Sequence, residues 1–358
     1  MPLESIQKDS SYAHLVSGKI YTVVAIENGR VKYQRDDDGR EFQLSEDSFK
    51  VKFRELTEEE KAEREEGVGI LVTPSENDVL ERLILPETVT SSALDGLRLV
   101  EIREDLDRVW GLSTIMPLKG RCVMNFWGPP GTGKTALTRV LAKLHGKCIY
   151  QVDYSAVISK WVGDTAKHIK AAFAEAKEHG AILMFDEADS LLSKRITDMS
   201  ESFATSINQN RNVLMQELDR HDGIVICNTN LVQNYDEAIL RRIIKHVEFS
   251  LPDAAARTKI FKLHFPKMDS VSVSDAEWDQ AGRISETLSG GDILTTAVNT
   301  MLAGSKAKRP TSWKVTFSLL STEINNTLRL KAAHGNKRAA EQLKANAIME
   351  VEVDEVAP

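Results

Sequence analysis

Residues 128–135 form a glycine-rich stretch, Gly-Pro-Pro-Gly-Thr-Gly-Lys-Thr, that ends in a lysine and a threonine. Its glycines allow successive backbone N–H groups to turn inward, where they can surround the phosphates of a nucleotide. The Lys134 ammonium would reach the outer phosphates, and the Thr135 hydroxyl would bind Mg²⁺. The residues that we expect to contact the nucleotide are Gly128, Pro129, Pro130, Gly131, Thr132, Gly133, Lys134, Thr135 and Ala136.

Two carboxylates follow the continuous apolar run at residues 181–185, which is typical of a fully buried parallel strand. We expect Asp186 to hold Mg²⁺ through its water shell. Glu187 would orient and deprotonate the water that attacks the γ-phosphate. For Asp189 we predict a structural or helix-capping role.

Two amide side chains, Asn228 and Asn230, follow another apolar run at residues 223–227. An amide at a strand end beside the carboxylates could form a hydrogen bond with the attacking water or the γ-phosphate. The residues alone do not choose between the two asparagines.

Arg241 and Arg242 follow a short predicted helix that begins near Asp236. Two adjacent guanidinium groups after a short helix could be functional, although the residues alone do not specify a role. The alternative interpretation is a solvated surface pair.

The elements around these residues alternate between strand and helix. The phosphate-binding loop lies between a predicted strand at 122–127 and a predicted helix at 136–143. A strand at 147–152 and a one-sided helix at 165–179 follow. This alternation predicts an α/β fold, the parallel sheet of a P-loop NTPase with helices on both faces. Beyond Pro252 the strand pattern stops, and amphipathic helices predict an all-helical lid.

The N-terminal part of the chain has a different pattern. Residues 16–56 contain short β-rich runs separated by the turn signals Asn28-Gly29 and Asp38-Gly39, which predict a small antiparallel module. We expect it to be either an adaptor for a substrate or partner or a purely structural appendage. Residues 1–15 predict a flexible arm.

The predicted boundaries divide the rest of the chain into a linker, a catalytic unit, a lid and a tail. Residues 57–78 are a charged linker, 79–250 the α/β unit, 251–346 the lid, and 347–358 an acidic, disordered tail.

Composition narrows the class of protein. The chain has 358 residues and a formal net charge of −7, which argues against a protein that binds nucleic acid by its overall charge. Its three cysteines are far apart and lie in apolar contexts, so we expect reduced thiols. No apolar run approaches the ~20 residues of a membrane helix. We therefore expect a cytoplasmic protein without a membrane span.

With these residues in view, the chain from about residue 80 to 330 resembles the AAA ATPases, the ring motors of the AAA+ superfamily. The matching motifs occur in the order of that family. They are residues 128–135, 185–189, 228–230, 238–242, 251–253 and 289–292. The aromatic-Val-Gly sequence at 161–163 and the Leu-Arg-Arg sequence at 240–242 look most like the group of spastin, katanin and the membrane-protein extractors.

This resemblance implies roles for several residues. It makes Asn230 the sensor-one residue, and Arg241 and Arg242 arginine fingers that reach the nucleotide of a neighbouring subunit. It implies ATP as substrate, Mg²⁺ as cofactor and a hexameric homo-oligomer. The pore loop that grips a threaded protein client would consist of Lys160, Trp161, Val162 and Gly163.

The sequence also departs from that group. The Asp-Ile-Gly type of segment that helps to hold adenine is not present ahead of the phosphate-binding loop, and residues 83–86, Leu-Ile-Leu-Pro, stand near its place. The lid has Gly-Gly-Asp at 290–292 where other branches have a sensor-two arginine. The N-terminal module matches no domain of microtubule severing or membrane extraction.

The sequence therefore predicts an ATP-hydrolysing motor that remodels a protein client by threading it through a central pore. Two alternatives stay open. One is a nucleic-acid motor or loader on the same fold, which would need a basic surface. The other is an ATP-gated scaffold in which hydrolysis only resets assembly.

Overall fold

The computed structural model describes most of the chain. The described residues are 5–8, 10–15, 20–35, 40–55, 68–111, 114, 122–154, 165–189, 201–230, 236–266, 268–306 and 313–356. The predicted pore loop at 160–163 and the charged run at 57–66 lie outside these ranges.

The N-terminal module is an antiparallel sheet with strand order β4-β3-β2-β1-β5. A short helix precedes its last strand. The elements are β1 (Ser11–His14), β2 (Ile20–Glu27), β3 (Arg30–Arg35), β4 (Glu41–Ser45), α1 (Glu46–Lys52) and β5 (Phe53–Glu55). Asn28 and Gly29 both have positive φ between β2 and β3, as the predicted Asn-Gly hairpin turn requires.

The flexible arm predicted for residues 1–15 is wrong at its C-terminal end. β1 pairs with both β2 and β5, so it lies inside the sheet rather than beside it. Tyr12 of β1 is buried and packs edge-on against Phe49 of α1. The burial of this aromatic ring explains why a run of only four residues is ordered.

The α/β unit contains one mixed sheet with strand order β11-β7-β10-β9-β8-β6. Its strands are β6 (Ile70–Val72), β7 (Cys122–Trp127), β8 (Ile149–Asp153), β9 (Ile182–Asp186), β10 (Ile224–Thr229) and β11 (Lys245–Glu248). The strands β7 to β11 are parallel, which confirms the predicted sheet. The edge strand β6 is antiparallel to β8 and was not predicted.

Helices cover both faces of this sheet, as predicted. The helices of the unit are α2 (Glu87–Glu101), α3 (Arg103–Trp110), α4 (Lys134–Leu144), α5 (Thr165–Glu178), α6 (Glu201–Arg220) and α7 (Glu237–Leu240). A hydrophobic core lies on each face of the sheet, and successive residues of β7 point into opposite cores. Val123 packs with residues of α5 and α6, whereas Met124 packs with residues of α2 and α4.

The segment before α2 is largely irregular. Leu80–Arg82 form a 3₁₀ turn, and residues 83–86 have no regular secondary structure up to Pro86, the N-cap of α2. This irregular segment becomes part of the site described below.

The lid consists of helices that pack around Phe261, Trp278 and Ile293. Its elements are α8 (Ala254–His264), a 3₁₀ turn (Met268–Ser270), β12 (Val271–Ser272), α9 (Asp275–Ile284), α10 (Gly290–Gly304), β13 (Val315–Thr316), α11 (Phe317–Ala333) and α12 (Lys337–Val356). Asp253 caps α8 by accepting a hydrogen bond from Ala256 N–H.

The C-terminal part has two features that the prediction did not include. The lid is not entirely helical, because β12 and β13 form a small parallel pair. The acidic tail is not disordered through 350–356, since the backbone of α12 continues to Val356.

Candidate active site

The predicted phosphate-binding loop connects β7 to α4 in a conformation that requires glycine. Gly128, Gly131 and Gly133 have φ values of 140°, 73° and 103°. A Cβ at Gly128 would collide with the main-chain oxygen of Phe249, and one at Gly131 would lie 2.5 Å from Ser289 Oγ. The loop is therefore held closely between the end of β11 and the start of α10.

Lys134 is the first residue of α4 and reaches back over this loop. Its ammonium donates hydrogen bonds to the carbonyl oxygens of Gly128 (2.7 Å) and Pro129 (3.0 Å) and to Asn230 Oδ1 (2.8 Å). Burial lowers the pKa of Lys134, although Asp186 and Asp189 act in the opposite direction. Because these hydrogen-bond acceptors are neutral, the ammonium is well suited to bind an anionic group such as a phosphate.

The two carboxylates Asp186 and Glu187 lie at the carboxyl end of β9. Gln151 Nε2 is 3.5 Å from Asp186 Oδ2, and the Glu187 N–H donates to Asp186 Oδ1 at 3.2 Å. Glu187 is exposed and has a φ of 51°, in the left-handed region that a residue with a side chain rarely adopts. The strand therefore ends at Asp186, and Glu187 lies in the turn that follows it.

The structure separates the two asparagines that the sequence left as alternatives. Asn228 is 1% exposed, and its Nδ2 lies 3.5 Å from both Thr135 Oγ1 and Met184 Sδ. Asn230 is exposed and lines the same cavity as Lys134. Asn230 is thus the one whose amide faces the space where a phosphate would lie.

These groups meet in one cavity of about 890 Å³, a size typical of small-molecule sites. One end is polar and includes the loop with Lys134, Asp186, Glu187 and Asn230. The other end lies between residues 82–86 and the lid. The lid residues there include Ile260, Leu263, His264 and Leu294.

The two ends match the two halves of a nucleotide. Main-chain N–H groups at the start of a helix and a lysine are suited to phosphates, and the apolar end is suited to a base. Residues 83–86, which the sequence marked as the place to look for adenine contacts, form part of that apolar end. Burial lowers the pKa of His264, which favours the neutral form of its imidazole.

The residues at the polar end also fit Mg²⁺. Thr135 and Asp186 offer oxygen ligands and both line the cavity. Mg²⁺ keeps several water ligands and needs only one or two from the protein. Among the described residues there is no cluster of three or more His, Cys, Asp or Glu side chains able to hold a metal.

The predicted arginine fingers lie elsewhere. Neither Arg241 nor Arg242 is among the described residues that line the cavity. Arg242 is held by both oxygens of Asp219 at 3.0 and 2.7 Å and donates to Ala238 O at 2.7 Å. The Arg241 side chain is 80% exposed. Among the described residues it forms one ion pair, in which its Nη2 lies 3.9 Å from Glu237 Oε2. Within one chain, the arginines do not complete the site.

Sequence reasoning missed several residues of the cavity. Gln151 and Asp153 line the cavity and lie at the carboxyl end of the parallel strand β8. The rule that predicted Asp186, that ligands bind at the carboxyl ends of parallel strands, could have predicted them too. The contact between Gly291 N–H and Gly131 O, at 2.9 Å, brings the lid onto the loop and has no signal in the sequence.

Comparisons with known proteins agree with this geometry. A family profile described as "ATPase family associated with various cellular activities (AAA)" matches residues 124–251. Fidgetin-like protein 1 of Homo sapiens is 33% identical over 177 residues, which cover 47% of this chain and 25% of that protein. Vacuolar protein sorting-associated protein 4B of Mus musculus is 35% identical over 171 residues, 47% of this chain and 38% of that protein.

A third relative extends the match. The 26S proteasome subunit RPT4 of Saccharomyces cerevisiae is 31% identical over 224 residues, 58% of this chain and 50% of that protein. The chain thus spans between a quarter and a half of the length of these curated relatives. A search of the described helices finds none with the length and apolarity needed to cross a membrane.

Proposed function

We propose that the protein is an AAA-type ATPase that binds ATP together with Mg²⁺ and hydrolyses the bond between its β- and γ-phosphates; the match of residues 124–251 to the AAA family profile supports this. The observation that carries this proposal is the convergence of Lys134, Asp186, Glu187 and Asn230 on one cavity beside a loop of three positive-φ glycines.

Each residue has a role in this reaction. The loop N–H groups and Lys134 bind the phosphates, and Thr135 and Asp186 hold Mg²⁺, which when bound neutralises charge on the phosphate oxygens. The Glu187 carboxylate accepts a proton from the attacking water, whose oxygen bonds to the γ-phosphorus as the bond to ADP breaks. Asn230 donates a hydrogen bond from its amide to the water or the γ-phosphate.

We further propose that the active site is shared between subunits of a ring. The placement of Arg241 and Arg242 outside the cavity of their own chain supports this arrangement. An arginine supplied by a neighbour can raise the rate of phosphoryl transfer by 10³ or more. Hydrolysis would then require assembly, and a hexamer is the stoichiometry that the family resemblance implies.

The work done by the ring is proposed to be the remodelling of a protein client, threaded past Lys160, Trp161, Val162 and Gly163. An aromatic ring in a pore loop can grip side chains of many kinds through contact area. Replacing Trp161 by Ala should therefore preserve basal ATP turnover and abolish remodelling. Remodelling at the normal rate in this variant would locate the work outside the pore.

The experiment that tests the proposed ATPase is turnover per subunit measured against protein concentration. We expect turnover to rise with concentration in the wild-type chain and to be lost in both Glu187→Gln and Arg241→Ala. A flat, slow rate that Arg241→Ala leaves unchanged would contradict shared active sites. It would favour instead a scaffold whose nucleotide only resets assembly.

A further inference from the structure

Asp189 connects the two loops that carry the proposed catalytic groups. It lies three residues after Asp186 and is half-buried. Its Oδ1 accepts a hydrogen bond from the backbone N–H of Asn230 at 3.0 Å and a second one from the hydroxyl of Thr229. Next to it, Ala188 N–H donates to Asn228 O at 2.9 Å. The turn that carries Glu187 is thus tied to the chain that carries Asn230.

These hydrogen bonds occur where the sheet no longer holds the two segments together. The last residue pair in the register of β9 and β10 is Phe185 with Cys227. Beyond this pair, the positions of Glu187 and Asn230 relative to each other are not set by the ladder between these two strands. The hydrogen bonds of Ala188 and Asp189 hold the two segments together there.

The contacts continue from Asp189 to the phosphate-binding loop. The backbone of Asn230 is held by Asp189, and the Asn230 side chain accepts the hydrogen bond from Lys134 at 2.8 Å. The negative charge of Asp189 also favours the charged form of Lys134, against the effect of burial on its pKa. Asp189 therefore acts on the site through Asn230 and by its charge.

We infer that Asp189 is a positioning residue for hydrolysis: its carboxylate fixes the backbone of Asn230 so that the amide side chain faces Lys134 and the γ-phosphate. This inference rests on the proposed ATPase function. It goes beyond the structural or capping role predicted for Asp189 from the sequence, because the hydrogen bonds of Asp189 reach Thr229, the last residue of β10, and Asn230, which follows it.

The first test compares Asp189→Ala with Asp189→Asn. The alanine variant should lower kcat at least tenfold and change the Kd of a slowly hydrolysed ATP analogue less than threefold, because Asn230 is misplaced while the phosphate-binding loop is intact. Asp189→Asn should recover much of the loss, since both hydrogen bonds end on one oxygen that an amide also provides. An unchanged kcat in Asp189→Ala would overturn the inference.

A second pair of variants removes the contact from the other side. Thr229→Val deletes the hydroxyl donor while keeping a similar shape, and Thr229→Ser retains the donor. We expect kcat to fall several-fold in the valine variant and to stay near wild type in the serine variant. Equal rates in both would contradict the role of this hydrogen bond. If Asp189→Ala does not fold, Asp189→Asn and this pair still decide the question.

The third test is a double-mutant cycle with Asn230→Ala. If Asp189 acts through Asn230, the double variant Asp189→Ala/Asn230→Ala should turn over no more slowly than Asn230→Ala alone. Losses that multiply would assign Asp189 an independent structural role and overturn the inference.

The two levels of the proposal fail in different ways. An inactive wild-type chain, or normal turnover in Glu187→Gln, would refute the ATPase assignment. Normal turnover in Asp189→Ala, beside clear losses in Glu187→Gln and Asn230→Ala, would refute the positioning role and leave the ATPase assignment standing.

Discussion

Glu187 combines an exposed carboxylate with an unfavourable backbone conformation. Among the described residues other than glycine, it shares positive φ only with Asn28 of the hairpin turn. This conformation costs a residue with a Cβ about 1–2 kcal/mol. The hydrogen bond between Ala188 N–H and Asn228 O stabilises the turn. With this backbone conformation the chain leaves β9 after Asp186, and Glu187 lines the cavity.

Glu187→Gln is predicted to retain ATP and to lose at least 100-fold in kcat, because the amide keeps the shape of the side chain but cannot accept the proton. Binding of a labelled ATP and release of phosphate measure the two properties separately. Glu178→Gln, at the exposed C-terminal end of α5, is the matched control and should turn over normally. Phosphate release at the wild-type rate from Glu187→Gln would mean that another group activates the water.

At the scale of elements, the phosphate-binding loop is positioned by what packs against Gly128. The main-chain oxygen of Phe249, just after β11, occupies the space of a side chain at this position. β11 is in turn the edge strand beside β7. A glycine at 128 thus allows the loop to begin within van der Waals contact of a strand more than 100 residues away in the chain.

Gly128→Ala is predicted to lower the midpoint of thermal unfolding and to weaken nucleotide binding, because the Cβ would displace Phe249 or the loop. Gly146→Ala is the matched control. Gly146 also has a positive φ, 63°, but open space surrounds the position of its Cβ. The control should show only the cost of the backbone conformation, about 1 kcal/mol. Equal destabilisation by both substitutions would show that the contact with Phe249 is unimportant.

The start of α10 is a second junction between elements. Ser289 and Asp292 form a capping box, and Asp292 also makes an ion pair with Lys331 of α11. Burial alone would raise the pKa of Asp292, but the hydrogen bonds from Lys331 and Ser289 hold that pKa below its ordinary value of 3.8. This junction fixes the lid segment whose Gly291 N–H contacts the phosphate-binding loop.

Asp292→Asn is predicted to lower the free energy of unfolding by about 1 kcal/mol near pH 7. Since the pKa of Asp292 is lower in the folded chain than in the unfolded one, its contribution is present above the unfolded pKa and is lost as pH falls through the folded pKa. The difference between variant and wild type should therefore shrink below about pH 4. Unfolding midpoints measured from pH 7 to pH 3 test this, with exposed Asp279→Asn as control. A difference that does not change with pH would contradict the linkage.

At the scale of the whole molecule, the two arginines differ in what they can reach. Arg242 is occupied by Asp219 and the Ala238 carbonyl, whereas Arg241 extends from the surface with one long ion pair. A guanidinium that enters the site of a neighbour must leave its own partners. The cost of that step is lower for an exposed pair than for a bidentate one, which favours Arg241 as the group that crosses to the neighbour.

Mixing two inactive chains tests the shared site directly. An Arg241→Ala chain keeps an intact cavity, and a Glu187→Gln chain still supplies its arginine. The mixture is predicted to regain turnover that neither chain shows alone. The matched control replaces the second chain by the double variant Glu187→Gln/Arg241→Ala, which supplies no arginine and should restore nothing. Failure of the first mixture, with assembly shown by light scattering, would place each active site within one chain.

Much of this protein could be predicted from its sequence because the signals are local. The phosphate-binding loop, the carboxylates after β9 and the parallel strands all appear as short runs whose residue types determine their conformation. The α/β fold was confirmed by the parallel pairing of β10 with β7 and β9, and the AAA family profile matches residues 124–251. The roles of the site residues follow from the same motifs and stay predictions, for which the experiments above are the tests.

Tertiary structure alone decided the features that depend on contacts between distant residues. The short strands β1 and β6 carry too few residues for a periodic signal and are ordered by their partners. Asn230 rather than Asn228 lines the cavity because Asn228 lies within β10, whereas Asn230 is the first residue after that strand. Asp189 meets Asn230 across 41 residues of sequence. Such contacts leave no pattern along the chain, because neighbouring strands of a parallel sheet are joined by long crossovers.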